Sequence, residues 1–326
     1  MKQHYLEFEK EPMNLSARIA DLREQAAALE PDSGDLQKLQ QEIESLEVAE
    51  SKAVRQLYRH LTPWQKTQVA RHPGRPHGKD YIQELFTDFT PIAGDRRFGE
   101  DAAILAGFAR LGETPVAVVA TEKGTETKTR VKHNFGMPKP EGYRKAQRLF
   151  ALADKFGQPV VAFVDTPGAY PGVEAEARGQ AEAIAACIED AMGLQVPFVT
   201  YITGEGGSGG ALALATADRV FMLEHSIYSV ISPEGCASIL WRDQQEAQKA
   251  AEALKITAQD IAALGLVEDV VPEPVGGAHR DRTQMINRVG EHLRKTLDEL
   301  TEKRLEGFSR HRRERFLNLR SPSQQQ

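Results

Sequence analysis

Four stretches in the middle of the chain are apolar almost without a break: Pro115-Val-Ala-Val-Val-Ala120, Pro159-Val-Val-Ala-Phe-Val-Asp165, Pro197-Phe-Val-Thr-Tyr-Ile-Thr203 and Arg219-Val-Phe-Met-Leu-Glu224. A strand with one wet face would alternate, so these runs predict strands covered on both faces. Between them lie Glu141 to Phe156 and Glu174 to Met192, rich in the helix formers Ala, Leu, Arg, Glu and Gln. Strand, helix and strand in that order predict parallel pairing through crossover connections, hence an α/β domain. Two more helices are expected near Pro233 to Trp241 and Gln245 to Leu254.

The ends of the chain follow a different period. Leu15, Ile19 and Leu22 form one helical stripe, and Leu36, Leu39, Ile43 and Leu46 another. The breakers Pro31-Asp-Ser-Gly-Asp35 between them predict a helical hairpin arm, and Pro63, Pro73-Gly74, Pro76 and Gly78 mark the passage into the next architecture. The expected division is 1–80 for arm and linker, 81–280 for the α/β domain and 281–326 for a C-terminal helix and tail. Arg282 to Leu319 is expected to be a charged helix and Ser321 to Gln326 disordered. No fixed-period repeat is visible, which removes solenoids and propellers.

Composition narrows the class. The chain is 40% hydrophobic and 27% charged, with no run near the roughly 18 apolar residues of a membrane span. The N-terminal MKQHYLEFEKEPMNL carries charges where a signal peptide is apolar, so a cytoplasmic protein is expected. Two cysteines, Cys187 and Cys236, argue against a disulfide framework or a four-cysteine zinc site. A net charge of −6 gives no support to nucleic-acid binding. The basic runs Lys123 to Lys132 and Arg310 to Arg315 are read as solvated faces.

Candidate chemistry lies where strands end. In parallel sheets the loops at the carboxyl ends of strands carry function. Two of them stand out: Asp165-Thr-Pro-Gly-Ala-Tyr-Pro-Gly172 and Gly204-Glu-Gly-Gly-Ser-Gly-Gly210, the second with five glycines in seven residues. Glycine lets backbone approach a ligand, and the helix expected from Ala211 starts with unpartnered amides suited to negative charge. A tight turn that needs small residues only for packing is the rival explanation. The stretch also fits two short patterns. Gly204, Gly206 and Gly209 have dinucleotide-binding spacing, with Glu224 twenty residues on; Gly206, Ser208 and Gly210 have the spacing of a nucleophile elbow. The first pattern comes after too many strands, and the second lacks a convincing histidine: His225 ends a strand and His279 sits in a turn. In the other loop two prolines and two glycines combine stiffness with close approach, suiting a pocket wall.

Five blocks in order carry a resemblance: Asn134-Phe-Gly-Met-Pro-Lys-Pro-Glu-Gly-Tyr-Arg-Lys145, Asp165 to Val173, Gly204 to Ala213, Tyr228 to Trp241, and Pro272-Glu-Pro-Val-Gly-Gly-Ala-His-Arg280. Together they resemble the family of carboxyltransferase α subunits of bacterial acetyl-CoA carboxylases, over about Arg71 to Arg280. The resemblance implies a crotonase-like (ClpP/crotonase) fold of stacked βαβ units. It implies transfer of the carboxyl group from carboxybiotin, borne on a biotin carboxyl carrier protein, to acetyl-CoA, giving malonyl-CoA for fatty acid synthesis. It further implies an α2β2 assembly with a carboxyltransferase β subunit, association with biotin carboxylase, and inactivity of this chain alone. The family's zinc belongs to the β subunit, so no metal is expected here.

The same resemblance assigns the amides of Gly209 and Gly210 to an oxyanion hole for the biotin ureido oxygen, with Gly206 and Gly207 shaping the turn. Pro167, Gly168, Ala169, Tyr170, Pro171 and Gly172 are expected to line the substrate site. No side-chain general base stands out. Two other readings remain: a serine hydrolase using Ser208, and a non-catalytic nucleotide-binding or scaffold subunit.

Overall fold

The computed structural model describes residues 4–30, 33–302 and 307–319. The expectations for Pro31 and Asp32 and for Ser321 to Gln326 lie outside the described residues. Helices α1 (Lys10–Ala27), α2 (Gly34–Arg59), α3 (Pro63–Ala70) and α4 (Gly78–Leu85) precede strands β1 (Thr87–Pro91), β2 (Ile104–Leu111) and β3 (Thr114–Thr121). Helices α5 (Thr127–Lys132) and α6 (Pro140–Phe156) lead to β4 (Val160–Thr166), and α7 (Val173–Ala177) and α8 (Gln180–Gly193) to β5 (Phe198–Gly207). Next come α9 (Ser208–Ala215), β6 (Arg219–Leu223), β7 (Ile227–Ser229), α10 (Pro233–Leu240), α11 (Ala247–Leu254) and α12 (Ala258–Ala263). The last elements are β8 (Asp269–Val271), α13 (Arg282–Glu302) and α14 (Phe308–Leu317).

All strands belong to one sheet, in the order β1-β2-β3-β4-β5-β6-β8, with β7 paired to the end of β5. From β3 onward every pairing is parallel, as the apolar runs predict. The antiparallel β1 and β2 have no counterpart among the expected strands. Gly107 and Arg110 interrupt β2, and β1 is short and mostly exposed, so neither reads as a continuous apolar run.

Side-chain alternation divides the core in two. Ala117, Val119, Val160, Ala162, Val164 and Ile202 point to one face, where α6, α8 and α9 cover them. Val116, Val118, Val161, Phe163, Val199 and Tyr201 point to the other, under α4 and α13. Thus the crossover helices α6, α8 and α9 all lie on one face, while helices from nearer the two ends of the chain close the second. A doubly wound dinucleotide fold distributes its crossovers over both faces.

Two helices differ from expectation for local reasons. The span Glu174 to Met192 is broken between α7 and α8 at Gly179, whose φ of 80° ends one helix and starts the next. In the breaker-rich passage, Thr62 caps α3 by accepting from the Gln65 amide, with Pro63 at the first helical position. The thiols of Cys187 and Cys236 are both buried and free.

Candidate functional site

The two glycine-bearing loops meet at the carboxyl edge of the sheet, backbone against backbone. A Cβ on Gly207 would lie 2.2 Å from the Pro167 carbonyl oxygen, and one on Gly210 would lie 2.6 Å from the Ala169 nitrogen and 2.7 Å from the Tyr143 hydroxyl. One on Gly204 would lie 2.3 Å from the Asp165 carboxylate, and one on Gly206 2.9 Å from the Tyr228 ring. Packing therefore requires these four glycines. Gly209 differs: its nearest neighbour would be a methyl of Ile184 at 3.4 Å, an ordinary contact.

Gly204, Gly206 and Gly207 are the last residues of β5, and α9 begins at Ser208, three residues earlier than the sequence suggests. Gly209 and Gly210 thus sit inside the first turn, where helix geometry leaves their amides without an intrahelical acceptor. Ser208 makes the bend, exposed and with φ at 51°. That is the posture of an elbow, yet among the described residues its Oγ has no hydrogen bond to a histidine or carboxylate. Packing explains why His225 and His279 are elsewhere. The His225 ring meets Tyr58 edge-on at 5.5 Å, and His279 stacks on His72 at 3.8 Å.

Of the expected wall residues, Pro167 and Pro171 are exposed and Gly168, Ala169, Tyr170 and Gly172 half-buried. Tyr170 is held by its amide donating to the Pro138 carbonyl and its carbonyl accepting from Gln180 Nε2, each at 2.9 Å. Lys139 lies over its ring at 5.1 Å. On the far side of α9, Ser208 and Gly209 form one end of an apolar groove of about 470 Å³ lined by Leu212, Tyr228, Ile256, Ile261 and Phe316.

Beneath the loops lies a set of charges that sequence reasoning missed. Lys123 Nζ bridges Asp165 Oδ1 at 2.6 Å and Glu205 Oε2 at 3.1 Å, and Arg71 Nε donates to Glu205 Oε1 at 2.7 Å. Burial works against both charges, but the carboxylates outweigh it and raise the Lys123 pKa, while Lys123 and Arg71 lower that of Glu205. Deeper still, Arg75 grips both oxygens of Glu273 at 2.7 and 2.8 Å, and the amides of His225 and Ala278 donate to the same carboxylate. Burial would push the Glu273 pKa up, but Arg75 and His225 outweigh it and bring it to about 2.

Reading the two basic runs as solvated faces is corrected at Lys123, whose side chain is 16% exposed, and at Arg312, which is fully buried. Arg312 donates to the carbonyls of Ala191, Leu194 and Val196 and to Asp218 Oδ2. The signal for Lys123 was its place two residues beyond a buried strand. Glu205, enclosed by glycines, was equally visible.

Among the described residues no cluster of three or more His, Cys, Asp or Glu is arranged to hold a metal ion, and no helix is long and apolar enough to cross a membrane.

Comparison with known proteins meets this geometry. The family model described as acetyl co-enzyme A carboxylase carboxyltransferase-like matches residues 5–320. The acetyl-coenzyme A carboxylase carboxyl transferase subunit alpha of Rhizobium leguminosarum bv. trifolii is 54% identical over 316 residues, covering 97% of this chain and 98% of that protein. Its counterpart from Rhizorhabdus wittichii is 56% identical over 315 residues, covering 97% and 99%. Among solved structures, transcarboxylase 12S superposes with a TM-score of 0.57 at 21% identity, over 70% of this chain and 43% of that one. The chain thus spans less than half the length of that neighbour, a likeness of fold in the crotonase-type carboxyltransferase class. With matches over nearly its whole length, the chain belongs to the family of acetyl-coenzyme A carboxylase carboxyl transferase α subunits, and its activity is that of a transferase.

Proposed function

We propose that the chain supplies the biotin side of a carboxyltransferase site that transfers a carboxyl group to acetyl-CoA and forms malonyl-CoA. The observation that carries this is Gly209, the one glycine of the turn that packing does not demand, at the start of a helix and beside an apolar groove. Carboxybiotin, delivered on a carrier protein, supplies the carboxyl group. The first-turn amides of Gly209 and Gly210 hold an oxygen that gains negative charge, and they need no reorganisation because α9 fixes them. In well-studied oxyanion sites the loss of one such donor costs about 3 kcal/mol. Pro167 to Gly172 form the facing wall, and the apolar groove offers a surface for the non-polar part of the biotin group.

The acetyl-CoA side is assigned to a β partner, which also carries the zinc, within an α2β2 assembly that works in the cytoplasm with biotin carboxylase and the carrier protein. The co-purified α and β chains are expected to decarboxylate malonyl-CoA in the presence of biotin, while either alone does not. Gly209→Ala is the sharper test. Alanine is favoured over glycine within a helix by up to about 1 kcal/mol, so Tm should hold or rise. The added methyl would point toward Ile184 and take up space beside the first-turn amides, so turnover should fall by on the order of tenfold or more. Turnover within twofold of wild type would remove Gly209 from the site.

A further inference from the structure

We propose that Lys123, Asp165 and Glu205 form a register clamp that sets the height of the Gly209 and Gly210 amides relative to the facing loop, and so act as positioning residues for the reaction. The inference rests on the oxyanion reading above.

The pairing of β4 with β5 is regular from Val160 opposite Phe198 to Val164 opposite Ile202. The next pair is Thr166 opposite Gly206, so β5 takes four residue steps where β4 takes two. Such a bulge leaves backbone groups of the longer strand without ladder partners. Here Asp165 fills it. Its Oδ1 accepts the Glu205 amide at 2.8 Å, and its carboxylate occupies the space a Gly204 side chain would need. The Asp165 amide in turn donates to Thr121 Oγ1 on β3 at 2.6 Å.

Lys123 closes the arrangement from the end of β3, bridging the carboxylates of Asp165 and Glu205. The neighbouring turn approaches its stem closely: a Cβ on Gly136, where φ is 79°, would lie 2.5 Å from Lys123 Cγ. Arg71 holds Glu205 from the other side and reaches Glu234 on α10. Three consecutive strand ends are thereby tied at the point where β5 gains two residues over β4.

The consequence for the site is direct. Gly207 and Gly210 touch the backbone of Pro167, Gly168 and Ala169, so the two loops can mate in only one register. If the bulge relaxed, the first turn of α9 would move against that wall. Misplacing reacting groups by about 1 Å costs rates on the order of a hundredfold.

The test uses the α chain co-purified with its β partner. Lys123→Met keeps the length of the stem and removes the bridge; Asp165→Asn keeps the acceptor for the Glu205 amide, whereas Asp165→Ala removes it. Both Lys123→Met and Asp165→Ala are expected to lower kcat for malonyl-CoA decarboxylation by about tenfold to a hundredfold, with KM little changed, and Asp165→Asn less than Asp165→Ala. Hydrogen exchange should quicken in peptides covering 165–172 and 203–211 and stay at wild-type rates around Arg312. Lys123→Met with kcat within twofold of wild type and unchanged exchange in the loops overturns the clamp. So does exchange that rises evenly over the whole chain, since that marks general destabilisation. If wild-type complex fails to decarboxylate malonyl-CoA, the carboxyltransferase reading fails, while loop exchange still judges the clamp.

Discussion

The two ends of the sheet each bury an arginine against a carboxylate, and the two carboxylates end with pKa values shifted in opposite directions. At the carboxyl edge Glu273 accepts from Arg75 on both oxygens and from two backbone amides, and its pKa falls to about 2. At the amino edge Asp218 takes Arg312 and the Phe198 amide on Oδ2 alone, while Oδ1 is buried without a hydrogen bond among the described residues. Burial then wins, and the Asp218 pKa rises despite Arg312. The same ion pair can favour or disfavour its charge, depending on how many further donors and charges face the carboxylate. The well-satisfied edge also holds the glycine loops, and the other only fastens α14.

The strongest way to break this contrast is to neutralise each carboxylate in turn. Removing one member of a buried ion pair costs about 3 to 5 kcal/mol. Glu273→Gln should approach that figure in urea unfolding of the complex, because Arg75 loses the carboxylate it is paired with and stays buried. Asp218→Asn should cost less, since the charge it removes is already disfavoured and the buried Arg312 keeps the carbonyls of Ala191, Leu194 and Val196 as acceptors. Equal losses would show that the donors and charges facing each carboxylate are not what separates the two ends.

Acid sharpens the contrast further. A carboxylate whose folded pKa is depressed binds fewer protons than in the unfolded chain, so its stability is present above about 4.5 and is lost as pH falls toward about 2. Asp218 acts with the opposite sign: its raised pKa makes the folded state the better proton acceptor, which offsets part of the loss. His279, which burial lowers from 6.5 to about 2, adds a decline that starts below pH 6.5. Tm should therefore fall in two stages on acidification, and Glu273→Gln should flatten the one below pH 4.5. A Tm constant from pH 7 to 4 would contradict these assignments.

The smallest effect is expected at Ser208, at the carboxyl edge but exposed and, among the described residues, with no hydrogen bond to a base. Ser208→Ala should leave turnover within about twofold, and a fluorophosphonate should leave the wild-type chain unlabelled. Labelling at Ser208 would reopen the hydrolase reading.

Legibility in the sequence followed environment. The parallel strands β3 to β6 were readable because both faces are buried over most of their length, which leaves long apolar runs. Residues in β2 escaped because Gly107 accommodates the Phe89 ring and Arg110 reaches the exposed end of a hairpin. Composition marked the loop and the family resemblance singled out Gly209 and Gly210 within it, yet five glycines gave no sign that packing claims four of them. Lys123 and Arg312 were misread for one reason: a charge run records the net character of a segment, and burial is decided by which single side chain faces inward. For Arg312 the partners are carbonyls more than a hundred residues away, which no local pattern contains.

Placing the crossover helices α6, α8 and α9 on one face has a consequence during synthesis. As the chain leaves the ribosome, β3 to β6 can collect α6, α8 and α9 as each emerges. The opposite face, with Val116, Val118, Val161, Phe163, Val199, Tyr201 and Phe221, gains its second cover only when α13 at Arg282–Glu302 has been made. A nascent chain halted after β6 would present that apolar face to the cytosol, and it is there that chaperones would be needed most.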